Sequence, residues 1–272
     1  MRIRVSHHAT YRFDPPAKSL IQTLRLTPRN HETQFVVNWR LDADVDGRLR
    51  PGEDAFGNAT HVLSAAGPIE QLTVSVDGVV QTQDAAGLVR GAVERFPPAL
   101  YLRETPLTVA DEDVQAFAEE AVQGCGADRL DVLHQLMGAI HEGVERTPAT
   151  AVATSAAEAL AAGTGDSAAL SHLFVSCARF LGAPARVVSG YLWSPETQVV
   201  AQGGHRWAEA HVPGLGWVGF DTLNKLCPTA SYIRIAMGLD ELGAAPIRSS
   251  HTASGASPAF RLRIDAQEQS QS

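Results

Sequence analysis

The sequence predicts an α+β fold in two parts. Three observations carry that prediction. From residue 1 to about 83, apolar and polar residues alternate in short runs between turn signals, the pattern of half-buried strands. From Thr108 onward, apolar side chains recur every three or four residues, the spacing of a buried helical face. Beyond Gly182 the pattern reverts to strands. The chain divides into a β-sandwich-like region over 1–83, a connector over 84–107, a unit of helices packed on an antiparallel sheet over 108–265, and a disordered tail over 266–272.

In the first region Ile3 and Val5 alternate with Arg2 and Arg4, Leu20, Leu24 and Leu26 share one parity, and so do Leu72, Val74 and Val76. Asp14-Pro15-Pro16, Asp46-Gly47, Phe56-Gly57-Asn58 and Asp77-Gly78 mark the turns. No titratable cluster is evident here, so the region reads as a structural or substrate-selecting module. In the connector, Pro97-Pro98 and Pro106 interrupt regular structure, and Leu100-Tyr101-Leu102 offers an apolar dock. Helices follow over Thr108–Val122 and around Leu133, Leu136, Met137, Ile140 and Val144, and a third opens on the capping box Ser155-Ala-Ala-Glu158. Gly163-Thr-Gly165 then turns the chain into another helix. It is capped by Asp166, striped by Leu170, Phe174, Cys177 and Leu181, and stopped by Gly182 and Pro184. Strands are expected at 185–192, 205–212 and 217–221, the last two joined by the tight turn Pro213-Gly-Leu-Gly216. A further alternating strand carries Phe260, Leu262 and Ile264, and the residues from Gln267 to Ser272 should fray.

The net charge of −8 argues against a nucleic-acid or anionic-membrane partner, and no apolar run is long enough to span a bilayer. The start of the chain lacks the apolar core of a signal peptide, and three widely spaced cysteines suit a reducing compartment, so a cytoplasmic location is the expectation. On the same ground the sequon Asn58-Ala59-Thr60 is set aside. No pattern suggests a metal site, and no cofactor is called for.

Three polar residues align by position. Ser167 opens a helix, where unpaired N–H groups favour an anion or an oxyanion. His205 opens a strand, and Asp221, 16 residues on, closes the next one, so an antiparallel hairpin would set them side by side. A nucleophile needs a base in hydrogen-bond reach, and the base needs a carboxylate to fix its tautomer. From spacing alone, a plain capping role explains Ser167 as well as a nucleophilic one. Trp207 and Glu209 share parity with His205, and Tyr191 and Trp193 end a strand beside it. Substrate contact and burial are both open for Tyr191, Trp193 and Trp207. His172 reads as a packed core histidine, and His7, His8 and His211 as structural or exposed.

The segments Leu181-Gly-Ala-Pro-Ala-Arg-Val-Val-Ser-Gly-Tyr-Leu192, His205-Arg-Trp-Ala-Glu209 and Pro213-Gly-Leu-Gly-Trp-Val-Gly-Phe-Asp221 resemble the transglutaminase-like superfamily. The turn Asp54-Ala-Phe-Gly-Asn58 and the Leu107-Thr108 entry to the helices are similar to its bacterial type with a β-rich N-terminal region. The resemblance spans nearly the whole chain. It implies a papain-like α+β core that passes an acyl group from an amide to an amine or water, with His205 as general base and Asp221 as its orienting carboxylate. It also implies a cysteine at the position of Ser167, within Gly165-Asp166-Ser167, and Ala168-Ala169 replace the family's polar pair.

Four readings of Ser167 stand: a working serine nucleophile, a natural pseudoenzyme that binds peptide, a cysteine exchanged for serine to trap an inactive form, or a thiol elsewhere, at Cys177 or Cys227. The expected function is amide-bond chemistry on a peptide or isopeptide. Hydrolysis is favoured over cross-linking because nothing marks an amine-donor site. A catalytically inactive peptide-binding module is the rival, and a purely structural partner protein a third possibility.

Overall fold

The computed structural model describes residues 1–149, 153–194, 204–251 and 256–267. Its first part is an antiparallel sheet curled on itself. The spine is two long strands, β1 (Arg2–Leu24) and β4 (Ala59–Thr82), paired along most of their length. Between them in sequence, β2 (Gln34–Ala43) pairs with the second half of β4 and β3 (Gly47–Glu53) with the first half. The β1–β4 register shifts between Arg12 and Ala17 and again before Ser19. The irregularity falls at Pro15-Pro16, where the ladder has no N–H to use. Curling turns both halves of the long strands toward one interior, where Tyr11, Phe13, Leu20, Leu24, Leu63, Leu72, Val74 and Val76 form a single cluster. The parity sets read from the sequence are the buried ones.

The connector contributes β5 (Leu88–Val89) and a 3-10 turn over Pro98–Leu102, whose Tyr101 is fully buried against Trp217. Then come α1 (Glu112–Ala121), α2 (Arg129–Gly143), β6 (Glu145–Arg146), α3 (Ala156–Ala162), β7 (Thr164–Gly165) and α4 (Ser167–Phe180). The capping box at Ser155 and Glu158 is formed, and Gly163 ends α3 at φ 64°, in the left-handed region. The first helix begins at Glu112 rather than Thr108, because Asp111 caps it and Thr108 closes a turn onto Thr105. The short β6 and β7 pair in parallel.

β8 (Ala185–Leu192), β9 (His205–Val212), β10 (Gly216–Phe220) and β11 (Tyr232–Gly238) build a second antiparallel sheet in the order β11-β8-β9-β10-β5, and α5 (Glu241–Ala244) follows it. In α4 every residue from Ala169 to Arg179 is buried. It packs against α1, α2 and α3 as well as β8 and β9, so it is the central helix of this part rather than a surface helix with one apolar stripe.

The chain then returns to its beginning. β12 (Ile247–His251) and β13 (Ala256–Gln267) both pair with β1. The strand around Leu262 and Ile264, which alternation alone leaves beside the helices, thus lies in the first sheet. Leu262 and Ile264 join Ile3, Val5, Val80, Tyr191, Ile233 and Ile235 in a core shared by both sheets. The tail expected to be disordered from 266 starts later, because Ala266 and Gln267 still pair with Ile3 and Arg2, and its remainder, 268–272, lies outside the described residues.

Candidate active site

The hairpin of β9 and β10 sets the central geometry. Gly214 and Gly216 turn the chain at φ 81° and 91°, and Val212 then pairs with Gly216 and Ala208 with Phe220. The start of β9 therefore lies beside the end of β10. His205 Nε2 donates to Asp221 Oδ2 at 2.6 Å. Asp221 has no exposed surface, and its backbone pairs in both directions with Leu226, closing the loop behind it. Asn224 donates its Nδ2 to Oδ2 at 2.7 Å and its backbone N–H to Oδ1 at 3.2 Å, and the Tyr232 hydroxyl donates to Oδ2 at 2.5 Å. Burial by itself would raise the Asp221 carboxyl. The facing imidazole and these donors outweigh it and hold the group below the ordinary carboxylate value. An ionised Asp221 only accepts, so Nε2 carries the ring proton and Nδ1 is the nitrogen left for proton exchange.

Aromatic rings fix the imidazole plane. Trp207 stacks on His205 with centroids 6.2 Å apart, and Tyr232 meets it edge-on at 5.9 Å. Gly190, directly across from His205 in β8, leaves the room: a Cβ there would stand 2.7 Å from Trp207 Cη2. On the same face of β9, Glu209 is fully buried between Arg186 and Arg234, each donating to it at 2.7 Å. Burial would raise this carboxyl, but the two guanidiniums bring it down to about 2. Arg186 also lies 3.8 Å over the Trp217 ring. The shared parity of His205, Trp207 and Glu209 thus appears as one face, with Glu209 in a structural ion network. Trp207, Glu209 and Tyr232, with His31 and Gln34 from the first sheet, line a cavity of about 50 Å³, space for a few waters rather than a peptide.

Ser167 is the first residue of α4 and is half-buried. Its carbonyl accepts the Ser171 hydroxyl at 2.6 Å. Among the hydrogen bonds of the described residues, none joins Ser167 to His205. The unpaired donors expected at this helix start are partly engaged, because Asp166 Oδ1 accepts the N–H groups of Ala168 at 3.0 Å and Ala169 at 2.9 Å. The Ser167 N–H is the donor of that turn which Asp166 leaves.

Tyr191 departs from the substrate-contact reading. It is 2 % exposed, its hydroxyl meets His7 Nδ1 at 2.9 Å, and its ring lies against Trp39 between the two sheets. Trp193 is half-buried and packs beside the same cluster, while Trp207 is 2 % exposed and is spent on stacking and burial. His172 is a core histidine as expected, bonded to the Thr154 carbonyl at 2.7 Å and accepting the Glu241 N–H at 3.0 Å. The Cys177 thiol is fully buried and pushed up by that burial to about 12. Cys227 faces His134 Nε2 at 3.4 Å, and burial raises its thiol. Neither cysteine has the lowered thiol of a reactive nucleophile. Among the described residues, no group of three or more His, Cys, Asp or Glu side chains could hold a metal ion. Asn58 of the sequon is buried, donating to Asp54 at 3.0 Å and to the Met237 carbonyl at 2.7 Å, so it is a joint between the sheets rather than a glycan acceptor.

Asn224 and Tyr232 escaped the sequence reading. Asn224 had a weak signal, an Asp-x-x-Asn turn. Tyr232 had none, since only the β8–β11 pairing brings it to Asp221.

Comparison with known proteins agrees with this architecture. Residues 3–81 match the bacterial transglutaminase-like N-terminal region, and residues 115–222 match the transglutaminase-like superfamily. The uncharacterized protein ML0607 of Mycobacterium leprae is 26% identical over 269 residues, covering 94% of this chain and 95% of that protein. The uncharacterized protein Rv2569c of Mycobacterium tuberculosis is 26% identical over 271 residues, covering 91% and 86%. A solved structure described as a "Putative Cysteine Protease" from Cytophaga hutchinsonii superposes with a TM-score of 0.79 at 18% identity, covering 100% of this chain and 92% of that one, a likeness of fold. With both regions present in family order, the chain belongs to the transglutaminase-like superfamily, in its bacterial form with a strand-rich region ahead of the core.

Proposed function

We propose that this protein carries out peptidase-like acyl transfer, opening an amide bond of a peptide or isopeptide, with Ser167, His205 and Asp221 as its acting residues. The observation that carries the reading is the 2.6 Å contact of His205 Nε2 with a buried Asp221, which leaves Nδ1 as the basic nitrogen. Ser167 Oγ attacks the amide carbonyl carbon as its proton passes to Nδ1. The oxyanion takes the Ser167 N–H. Collapse of the tetrahedral adduct expels the amine, which leaves with the proton from Nδ1. Water, deprotonated by the same nitrogen, then cleaves the ester and frees Ser167. Asp221 stays ionised throughout and stabilises the imidazolium. The Ser167–His205 hydrogen bond forms as substrate binds, since catalytic contacts commonly tighten only in the Michaelis complex.

One observation favours a second reading, a peptide-binding protein without turnover. Asp166 already occupies two of the N–H groups that would receive an oxyanion. A fluorophosphonate probe separates the two. Labelling at Ser167 that disappears in His205→Ala supports the nucleophile. A folded protein that never labels, while Ser167→Cys gains acyl transfer, assigns the fold to an inactivated thiol site.

A further inference from the structure

Asp221 Oδ2 accepts three side-chain donors at once: His205 Nε2 at 2.6 Å, the Tyr232 hydroxyl at 2.5 Å and Asn224 Nδ2 at 2.7 Å. Packing does not require the Tyr232 hydroxyl. Its ring already meets Trp207 edge-on at 5.4 Å and His205 at 5.9 Å, contacts that phenylalanine would keep. Burial and the facing carboxylate push the phenol far above its ordinary value, so it remains a donor. A hydroxyl so buried and aimed at the oxygen that takes the imidazole competes for that oxygen's charge.

We infer that Tyr232 is a positioning residue for the His205–Asp221 pair: with Asn224 it pins Oδ2 against Nε2 and limits how strongly the carboxylate stabilises the imidazolium. The role rests on the reading of His205 as the proton carrier, and Tyr232 itself touches no substrate. It keeps the imidazolium from being held so tightly that Nδ1 would surrender its proton too slowly to the leaving amine.

The other titratable and charged groups around the pair come from every packed element. Arg206, next to His205 on β9, is paired with Glu241 of α5. Asp166 stands at the head of α4, and Arg234 of β11 is bound to Glu209. Cys227 and His134 meet beyond the Asp221 loop, and His141 of α2 donates to the Thr222 carbonyl at 3.0 Å. None of these donates to Oδ2, so a change at Tyr232 or Asn224 reads out at His205 separately from them.

The test is nitrogen NMR of the His205 ring across pH in the full-length protein. The neutral wild-type ring holds its proton on Nε2. In Tyr232→Phe the His205 midpoint rises above that of the wild type, because one donor fewer shares the Oδ2 charge. Asn224→Ala moves it the same way and serves as the second probe if Tyr232→Phe does not fold. The acid limb of Ser167 probe labelling shifts by the same amount. An unchanged midpoint and tautomer in the folded variants would overturn the inference and leave Tyr232 a packing residue. Movement at His205 in a protein whose Ser167 never labels would uphold the positioning role while refuting the enzymatic reading.

Discussion

Residue by residue, the candidate site depends on charge at one position more than on shape. Asp221 is buried and surrounded by donors, so an amide there cannot reproduce what the carboxylate does. With its oxygen facing His205, an asparagine at 221 would point its NH₂ at the Asn224 N–H. Turned around, it would donate to the imidazole and force the proton onto Nδ1, leaving no base. Asp221→Asn should therefore keep the fold yet slow labelling of Ser167 at least ~100-fold, in line with the wrong-tautomer penalty of a Ser-His-Asp set. Labelling at the wild-type rate would exclude His205 as the base. At this scale the sequence was informative where residues sit near a turn. His205 and Asp221 were legible because a tight turn at Pro213–Gly216 dictates that strand ends meet. Tyr191 and Trp193 were not, because adjacency in sequence does not say which face of a strand meets solvent and which meets another sheet. The Tyr191 ring turned toward the first sheet.

Among the elements, α4 is the most constrained, and its buried polar residues explain how it is held. Arg179, in its last turn, is 5 % exposed and bonds four neutral acceptors: the Tyr101 carbonyl at 2.9 Å, the Thr108 hydroxyl at 2.6 Å, the Ala185 carbonyl at 2.9 Å and the Leu239 carbonyl at 2.7 Å. One guanidinium thereby ties the connector, the approach to α1, the start of β8 and the end of β11 to the central helix. Its position at the helix C-terminus adds favourable dipole interaction. Arg179→Met would take this donor from three buried carbonyls, while the Thr108 hydroxyl keeps the Thr105 N–H at 3.1 Å, and a loss of roughly 3–5 kcal/mol is expected. Arg179→Lys should recover little, because an ammonium lacks the planar fork that reaches all four. Urea unfolding of the two variants measures this, and a loss under about 1 kcal/mol would show that water replaces the guanidinium. The helix itself was readable from its caps and apolar stripe. Its burial on every side was not, because Arg179 looks like a solvent-facing residue until its partners come from distant segments.

For the whole molecule, the two parts are joined by shared core and buried polar contacts rather than by a linker alone. Asn58 donates to the Met237 carbonyl at 2.7 Å and accepts its N–H at 2.9 Å, Gln34 bridges Arg234 at 2.8 and 2.9 Å, and β12 and β13 return to β1. This closure was illegible in sequence because nothing in a period-2 pattern names the partner strand. It makes a single cooperative unfolding transition the expectation, and it buries histidines as neutral rings. His7, at the seam with Tyr191, is held down to about 4, first by burial and then by His8 and Arg206. His31 is likewise brought to about 4, by burial first and then by Arg234, and burial also lowers His172. In the unfolded chain these rings take a proton near pH 6.5, while His7 and His31 in the folded protein refuse one until about 4. The unfolded state therefore binds more protons in that window, so stability is full above pH 6.5 and falls as the pH drops toward 4. Each of these two rings should contribute roughly 2–3 kcal/mol to the loss. Urea titrations at pH 7 and pH 4.5 should show the fall, and His7→Phe should flatten it by about the share of one ring. A stability that stays level between those pH values would mean that the seam around His7 opens to admit the proton without unfolding.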